Sequence, residues 1–113
     1  MKMVVAYIKS FMAPAVIDAL HALPELTGAT LTKVQGFGRG RAKGGKDAHE
    51  GDFVGTSARV RVEALVPDAF VAQVVEAITT AARTGNTGDG KICVIPVNHV
   101  VRLRTGEVDE QAI

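Results

Sequence analysis

Apolar residues run without interruption from Met3 to Ile8, with Val4, Val5 and Tyr7 among them. So short a run predicts a strand buried on both faces. Pro14 follows and suits the first turn of a helix. Val16, Leu20 and Leu23 recur at helical spacing, and Pro24 and Gly28 close that helix. Ala29 to Phe37 is rich in Thr, Leu and Val and predicts a second strand. Ala58 to Val66 alternates cleanly: Ala58, Val60, Val62, Ala64 and Val66 on one side, Arg59, Arg61 and Glu63 on the other. Pro67 ends that strand, and Asp68 is placed to cap the next helix. Val71, Val74, Val75, Ile78 and Ala82 give that helix its apolar face. Lys91 to Val97 predicts a last strand, and Val100 to Arg104 a short extra one.

Between the second and third strands the pattern stops. Gly38 to Gly55 holds six of the twelve glycines and seven charges: Arg39, Arg41, Lys43, Lys46, Asp47, Glu50 and Asp52. Its only apolar residues are Ala42, Ala48, Phe53 and Val54, too few to pack a core. A loop this long inside a compact domain points to function, and without a partner it is expected to be mobile over about 39–56.

The order is β-α-β, long loop, β-α-β. That is the ferredoxin-like split βαβ arrangement, an α+β fold with two helices on one face of a four-stranded antiparallel sheet. The 113 residues fit one domain, with the long loop at about 38–56 and a C-terminal segment at 100–113. The other sheet face needs a cover, which predicts self-association.

Composition narrows the function. Apolar residues make up 47% and aromatics 4%, so the core is aliphatic. A net charge of +1 is no nucleic-acid signature. Arg41, Lys43 and Lys46 are interspersed with acids and read as a solvated loop. One cysteine excludes an internal disulfide and suits a reducing compartment. No apolar run is long enough to span a bilayer or serve as a signal peptide, so the expected location is cytoplasmic with no membrane insertion. His49 and His99 with Cys93 could be metal ligands. Cys93 falls in a strand and single histidines are usually structural, so no metal site is assigned. His21 falls on the exposed side of the first helix.

Three separated segments look built for one phosphorylated ligand: Gly36-Phe37-Gly38-Arg39-Gly40, Thr84 to Lys91 and Arg102 to Glu107. Two are glycine-rich, so their N–H groups can approach an anion closely. Arg39, Lys91, Arg102 and Arg104 add fixed positive charge. A lone glycine-rich turn is usually a plain tight turn; three such segments together imply a pocket.

With these motifs the chain resembles the PII signal-transduction proteins, trimeric nitrogen regulators of this same element order. The likeness covers nearly the whole chain: MKMVVAYIK at the start, GFGR at Gly36 to Arg39, and VPDAF at Val66 to Phe70. It continues through AARTGNTGDGKI at Ala81 to Ile92 and VRLRTGE at Val101 to Glu107. The resemblance implies ATP or ADP in clefts between subunits. Gly36, Phe37, Gly38 and Arg39 would wrap the nucleotide. Gly88, Asp89, Gly90 and Lys91 would meet the phosphates, and Arg102 and Arg104 would reach in from a neighbouring subunit. Thr30, Glu63, Ala64 and Leu65 would hold the adenine and ribose. Arg59 stands where the family usually has a phosphate-contacting Lys. The implied partners are two further copies of the chain and a target protein, an enzyme or membrane transporter, met by the long loop.

The departures carry information. Where the family has a Gln that helps hold Mg²⁺ and 2-oxoglutarate, this chain has Gly40, without a side-chain oxygen. Binding of both is therefore expected to be weak. Asp52 stands in place of the Tyr that some relatives uridylylate, and Glu50 in place of the Ser that others phosphorylate. A divergent sensor of AMP, bicarbonate or a metal beside a transport system is the alternative. Lys33 to Arg39 also looks like an acylphosphatase phosphate loop, but it follows the second strand, not the first. No Ser-His-Asp, Cys-His or paired-carboxylate set stands out, so a regulator is expected, with weak ATPase activity left open.

Overall fold

The computed structural model describes residues 1–39 and 53–113. Most of the long loop, with Gly40, His49, Glu50 and Asp52 and the mobility expected of them, lies outside the described residues. Four strands form one sheet: β1 Lys2–Lys9, β2 Thr30–Gly36, β3 Ser57–Val66 and β4 Gly90–Pro96, in the order β2-β3-β1-β4. All neighbours are antiparallel. Two helices, α1 Ala13–His21 and α2 Val71–Ala82, pack together over one face.

The alternation of β3 sets that face. Val60, Val62, Ala64 and Val66 are buried and pair across the ladder with Ile8, Ala6, Val4 and Lys2. Val16 and Leu20 of α1 and Val74, Ile78 and Ala82 of α2 complete the core. Each fully buried Val or Ile contributes about 1.5–3 kcal/mol over leaving it exposed. A one-residue slip of β3 would turn all four of its apolar side chains outward, so the register is strongly fixed.

The boundaries differ in instructive ways. α1 carries Pro14 in its first turn and ends at His21, before Leu23. Leu23 and Leu26 pack on the core from the turns that follow, which Pro24 forces. Asp68 does not cap α2. The chain enters that helix through a 3₁₀ turn, Asp68–Phe70, so Asp68 sits two residues before the N-cap position, which Phe70 occupies. Its carboxylate instead accepts a 2.8 Å hydrogen bond from the Met1 amino group, which lowers its pKa. Residues 100–104 add no strand to the sheet. Val101 bridges Val108, and Arg102 N–H bonds Glu107 O at 2.9 Å, so the segment folds into a hairpin on itself.

β1 is buried at Val4, Val5, Ala6 and Ile8, but Tyr7 is exposed, with the Arg61 guanidinium 5.7 Å from its ring centre. Tyr7, Arg61, Glu63, Cys93 and Ile95 lie on the sheet face away from the helices, which the 100–113 segment borders at the Glu63 and Leu65 end. Arg61 Nε and Glu63 Oε1 form an ion pair there at 2.8 Å. Among the described residues, no helix is long and apolar enough to cross a membrane.

Candidate functional site

The antiparallel register brings two of the three predicted segments, together with Arg59, to one end of the sheet. Gly36 ends β2 opposite Ser57; Val34 faces Arg59; Arg59 faces Lys9; Gly90 opens β4 opposite Ile8. Gly36–Arg39, Arg59 and Gly88–Lys91 therefore share this end. Phe37, Gly38 and Arg39 leave β2 exposed to solvent.

The turn before β4 is held by its own side chains. The Asp89 carboxylate accepts from Thr84 N–H at 2.8 Å, Gly85 N–H at 2.9 Å and the Thr84 hydroxyl. Lys9 Nζ adds an ion pair at 3.1 Å. The Thr84 hydroxyl bond, then the two N–H groups and Lys9, outweigh burial and hold Asp89 well below the usual carboxylate range. Thr84 Oγ1 also accepts from Asn86 N–H at 3.1 Å. The Asp89 side chain thus organises the turn. Lys9, which the sequence did not single out as a site residue, is its cationic partner.

Glycine is required twice here. A Cβ on Gly90 would lie 1.7 Å from the Tyr7 carbonyl oxygen, and its φ is +108°. Gly88, at φ +87°, would place a Cβ 3.2 Å from an Arg59 nitrogen. The loop lies directly against a guanidinium because it has no side chain there. Arg39, Arg59, Lys91 and Arg104 have no ion-pair partner among the described residues. Arg59 donates to the adjacent Ala58 carbonyl at 3.1 Å.

At the base of the long loop, Gln35 Oε1 accepts from Phe53 N–H at 2.6 Å. The Thr56 hydroxyl lies 2.6 Å from Phe53 O and 3.1 Å from Gln35 Oε1. This knot joins the two ends of the loop, and no sequence signal marked it.

The other predicted residues lie further along the sheet. Thr30 pairs with Glu63, four residues or about 13 Å along β3 from Arg59. Thr30, Glu63, Leu65 and Arg102 line a groove of about 370 Å³ with Ala112 and Ile113. Ala64 is in the core and can offer a ligand only its backbone. Arg102 donates to Ile113 O at 3.2 Å and lies 3.8 Å from Glu107 Oε1. Arg104 is exposed two residues on. The groove thus pairs a carboxylate, suited to sugar hydroxyls or an amino group, with a cation. Among the described residues no group of three or more His, Cys, Asp or Glu could hold a metal. His99 faces Asp109, and Cys93 is exposed on β4.

Glycine loops, unpaired cations and a separate polar groove on a ferredoxin-like sheet with one open face define a subunit of a ligand-sensing regulator. The family described as nitrogen regulatory protein P-II matches residues 1–107. The chain is 41% identical to a nitrogen regulatory protein P-II of Rhizobium etli and 42% identical to one of Azospirillum brasilense. It is 44% identical to nitrogen regulatory protein P-II 1 of Escherichia coli. Each alignment covers the whole of both chains. The chain belongs to the P-II family, whose members are non-enzymatic signal transducers of nitrogen regulation. They form trimers, bind ATP and ADP, and act on targets through the loop between β2 and β3.

Proposed function

We propose that this chain is a cytoplasmic, homotrimeric regulator that binds ATP or ADP between subunits. One subunit supplies Gly36, Phe37, Gly38, Arg39, Arg59, Gly88, Gly90 and Lys91, with Asp89 shaping the loop. Its neighbour supplies Thr30, Glu63, Ala64 and Leu65 for adenine and ribose, and Arg102 and Arg104 for phosphate. The observation that carries this reading is the division itself. One end of the sheet has N–H donors and, among the described residues, cations without ion-pair partners; the groove lined by Thr30, Glu63, Leu65 and Arg102 lies about 13 Å away. A second copy placing its groove against the first copy's glycine loops completes both halves, and the open sheet face offers the contact.

Nucleotide then biases the loop at about 38–56 through Gly36–Arg39, which lead into it, and the loop docks on an enzyme or transporter. Mg²⁺ fits this site poorly. The carboxylate at the phosphate end is Asp89, already taken by Lys9, Thr84 and Gly85. Gly40 brings no side-chain oxygen. Light scattering is expected to give a trimer, and calorimetry one adenine nucleotide per chain. A stable monomer at micromolar concentration, or no uptake of ATP or ADP, refutes the shared cleft.

A further inference from the structure

Asp109 is the only non-glycine residue with positive φ among the described residues, at +55°. A side chain in that region is strained unless its surroundings hold it, and Asp tolerates it better than most. Here the surroundings are two-sided. Asp109 N–H donates to Val100 O at 2.7 Å, while Asp109 Oδ1 accepts from Val100 N–H at 3.2 Å. His99 Nδ1 lies 2.9 Å from the same Oδ1; since an ionised carboxylate only accepts, Nδ1 carries the proton.

This clasp sits where the chain changes direction. Before it, residues 100–108 form a hairpin: Val101 bridges Val108, and Gly106 N–H bonds Arg102 O at 2.8 Å. After it, a 3₁₀ turn, Asp109–Ala112, brings Ile113 back over the hairpin. Ile113 O then accepts from the Arg102 guanidinium, with Glu107 on its other side. The Ile113 support of Arg102 thus depends on the turn at Asp109, while Glu107 is held opposite Arg102 by the hairpin itself. An arginine loses considerable rotamer entropy when fixed, so one already fixed binds an anion more tightly.

We propose that Asp109 is a positioning residue for the ligand groove: its clasp on Val100 and His99 sets the 100–113 segment so that Arg102 is held beside Thr30, Glu63 and Leu65. Asp109 does not touch the ligand. The inference rests on the nucleotide reading above, and its test separates the two.

The test is a double-mutant cycle of ATP binding by calorimetry with Asp109→Gly and Arg102→Ala. Glycine adopts positive φ without strain, so Asp109→Gly removes the carboxylate and not the fold. Each single variant is expected to weaken ATP binding about tenfold, and the double variant no further than Arg102→Ala alone. Asp109→Asn keeps an acceptor for Val100 N–H and tolerates the turn, so it is expected to recover most of the affinity while its thermal midpoint still falls. Additive losses in the cycle, or unchanged affinity in Asp109→Gly, overturn the proposal. Arg102 Nε–H relaxation measured by NMR without ligand reads the same clasp independently of nucleotide. If the wild type binds no ATP but Asp109→Gly mobilises Arg102, the nucleotide reading fails and the positioning stands. If Arg102 is equally ordered in both, Asp109 does not position it.

Discussion

Lys9 Nζ and Asp89 Oδ1 are 3.1 Å apart and tie the end of β1 to the turn before β4. Their side chains are 13% and 24% exposed, so the pair is less screened than one on the open surface. Lys9 also reaches the Thr84 hydroxyl at 3.3 Å, across 75 residues of sequence. The turn before β4 therefore takes its shape from a strand far from it in the chain.

Asp89→Asn tests that dependence through pH. The folded-state pKa of Asp89 lies below the ordinary value of 3.8, held there first by the Thr84 hydroxyl. The carboxylate thus stabilises the fold fully above that ordinary value, and the contribution disappears as pH falls through the depressed one. The variant is expected to melt lower than wild type at pH 7. The two melting curves should begin to approach each other below about pH 4 and meet only in stronger acid, as pH falls through the depressed value. A gap that stays constant down to the acid limit would show that the charge of Asp89 is immaterial.

Gly90→Ala places a methyl group against main chain that cannot yield. The nearest atom, Tyr7 O, would be 1.7 Å away, and φ is +108°. The two effects together should cost about 3 kcal/mol or more in urea denaturation, by separating β1 from β4. An alanine variant as stable as wild type would mean that β1 and β4 lie farther apart than a Cβ at this position needs.

Lys91→Ala and Arg104→Ala should each weaken ATP or ADP binding by about 1–3 kcal/mol, the loss of one charge-assisted hydrogen bond. The residues belong to different halves of the proposed cleft. Mixed trimers of the two variants should therefore regain some intact sites, seen as a tight-binding fraction in calorimetry. Mixtures that bind no better than either parent would place both residues in one subunit's half.

Gly40 separates this chain from relatives with Gln at that place. Nucleotide binding should depend little on Mg²⁺, and 2-oxoglutarate should bind weakly or not at all to the ATP complex. ATP titrations with and without Mg²⁺, followed by 2-oxoglutarate, decide it. Tight keto-acid binding that requires Mg²⁺ would show that other oxygens replace the missing side chain.

The sequence by itself determined the four strands, the two helices and the face that each buries. Those follow from short-range periodicity, where every second residue of β3 and every third or fourth of α2 must be apolar to reach the core. It also marked GFGR, TGNTGDGK and RLRTGE as anion-binding material, because glycine and arginine carry that chemistry wherever they stand. Only the tertiary structure decided how these pieces divide. The strand register puts Arg59 and Gly88 together and leaves Glu63 and Arg102 in a separate groove. Packing gives Asp68 to the Met1 amino group instead of to α2, and Asp89 to Lys9. The turn at Asp109 brings Ile113 onto Arg102. Each of these pairings joins residues with no local pattern in common, and depends on where antiparallel strands and chain reversals place them in space.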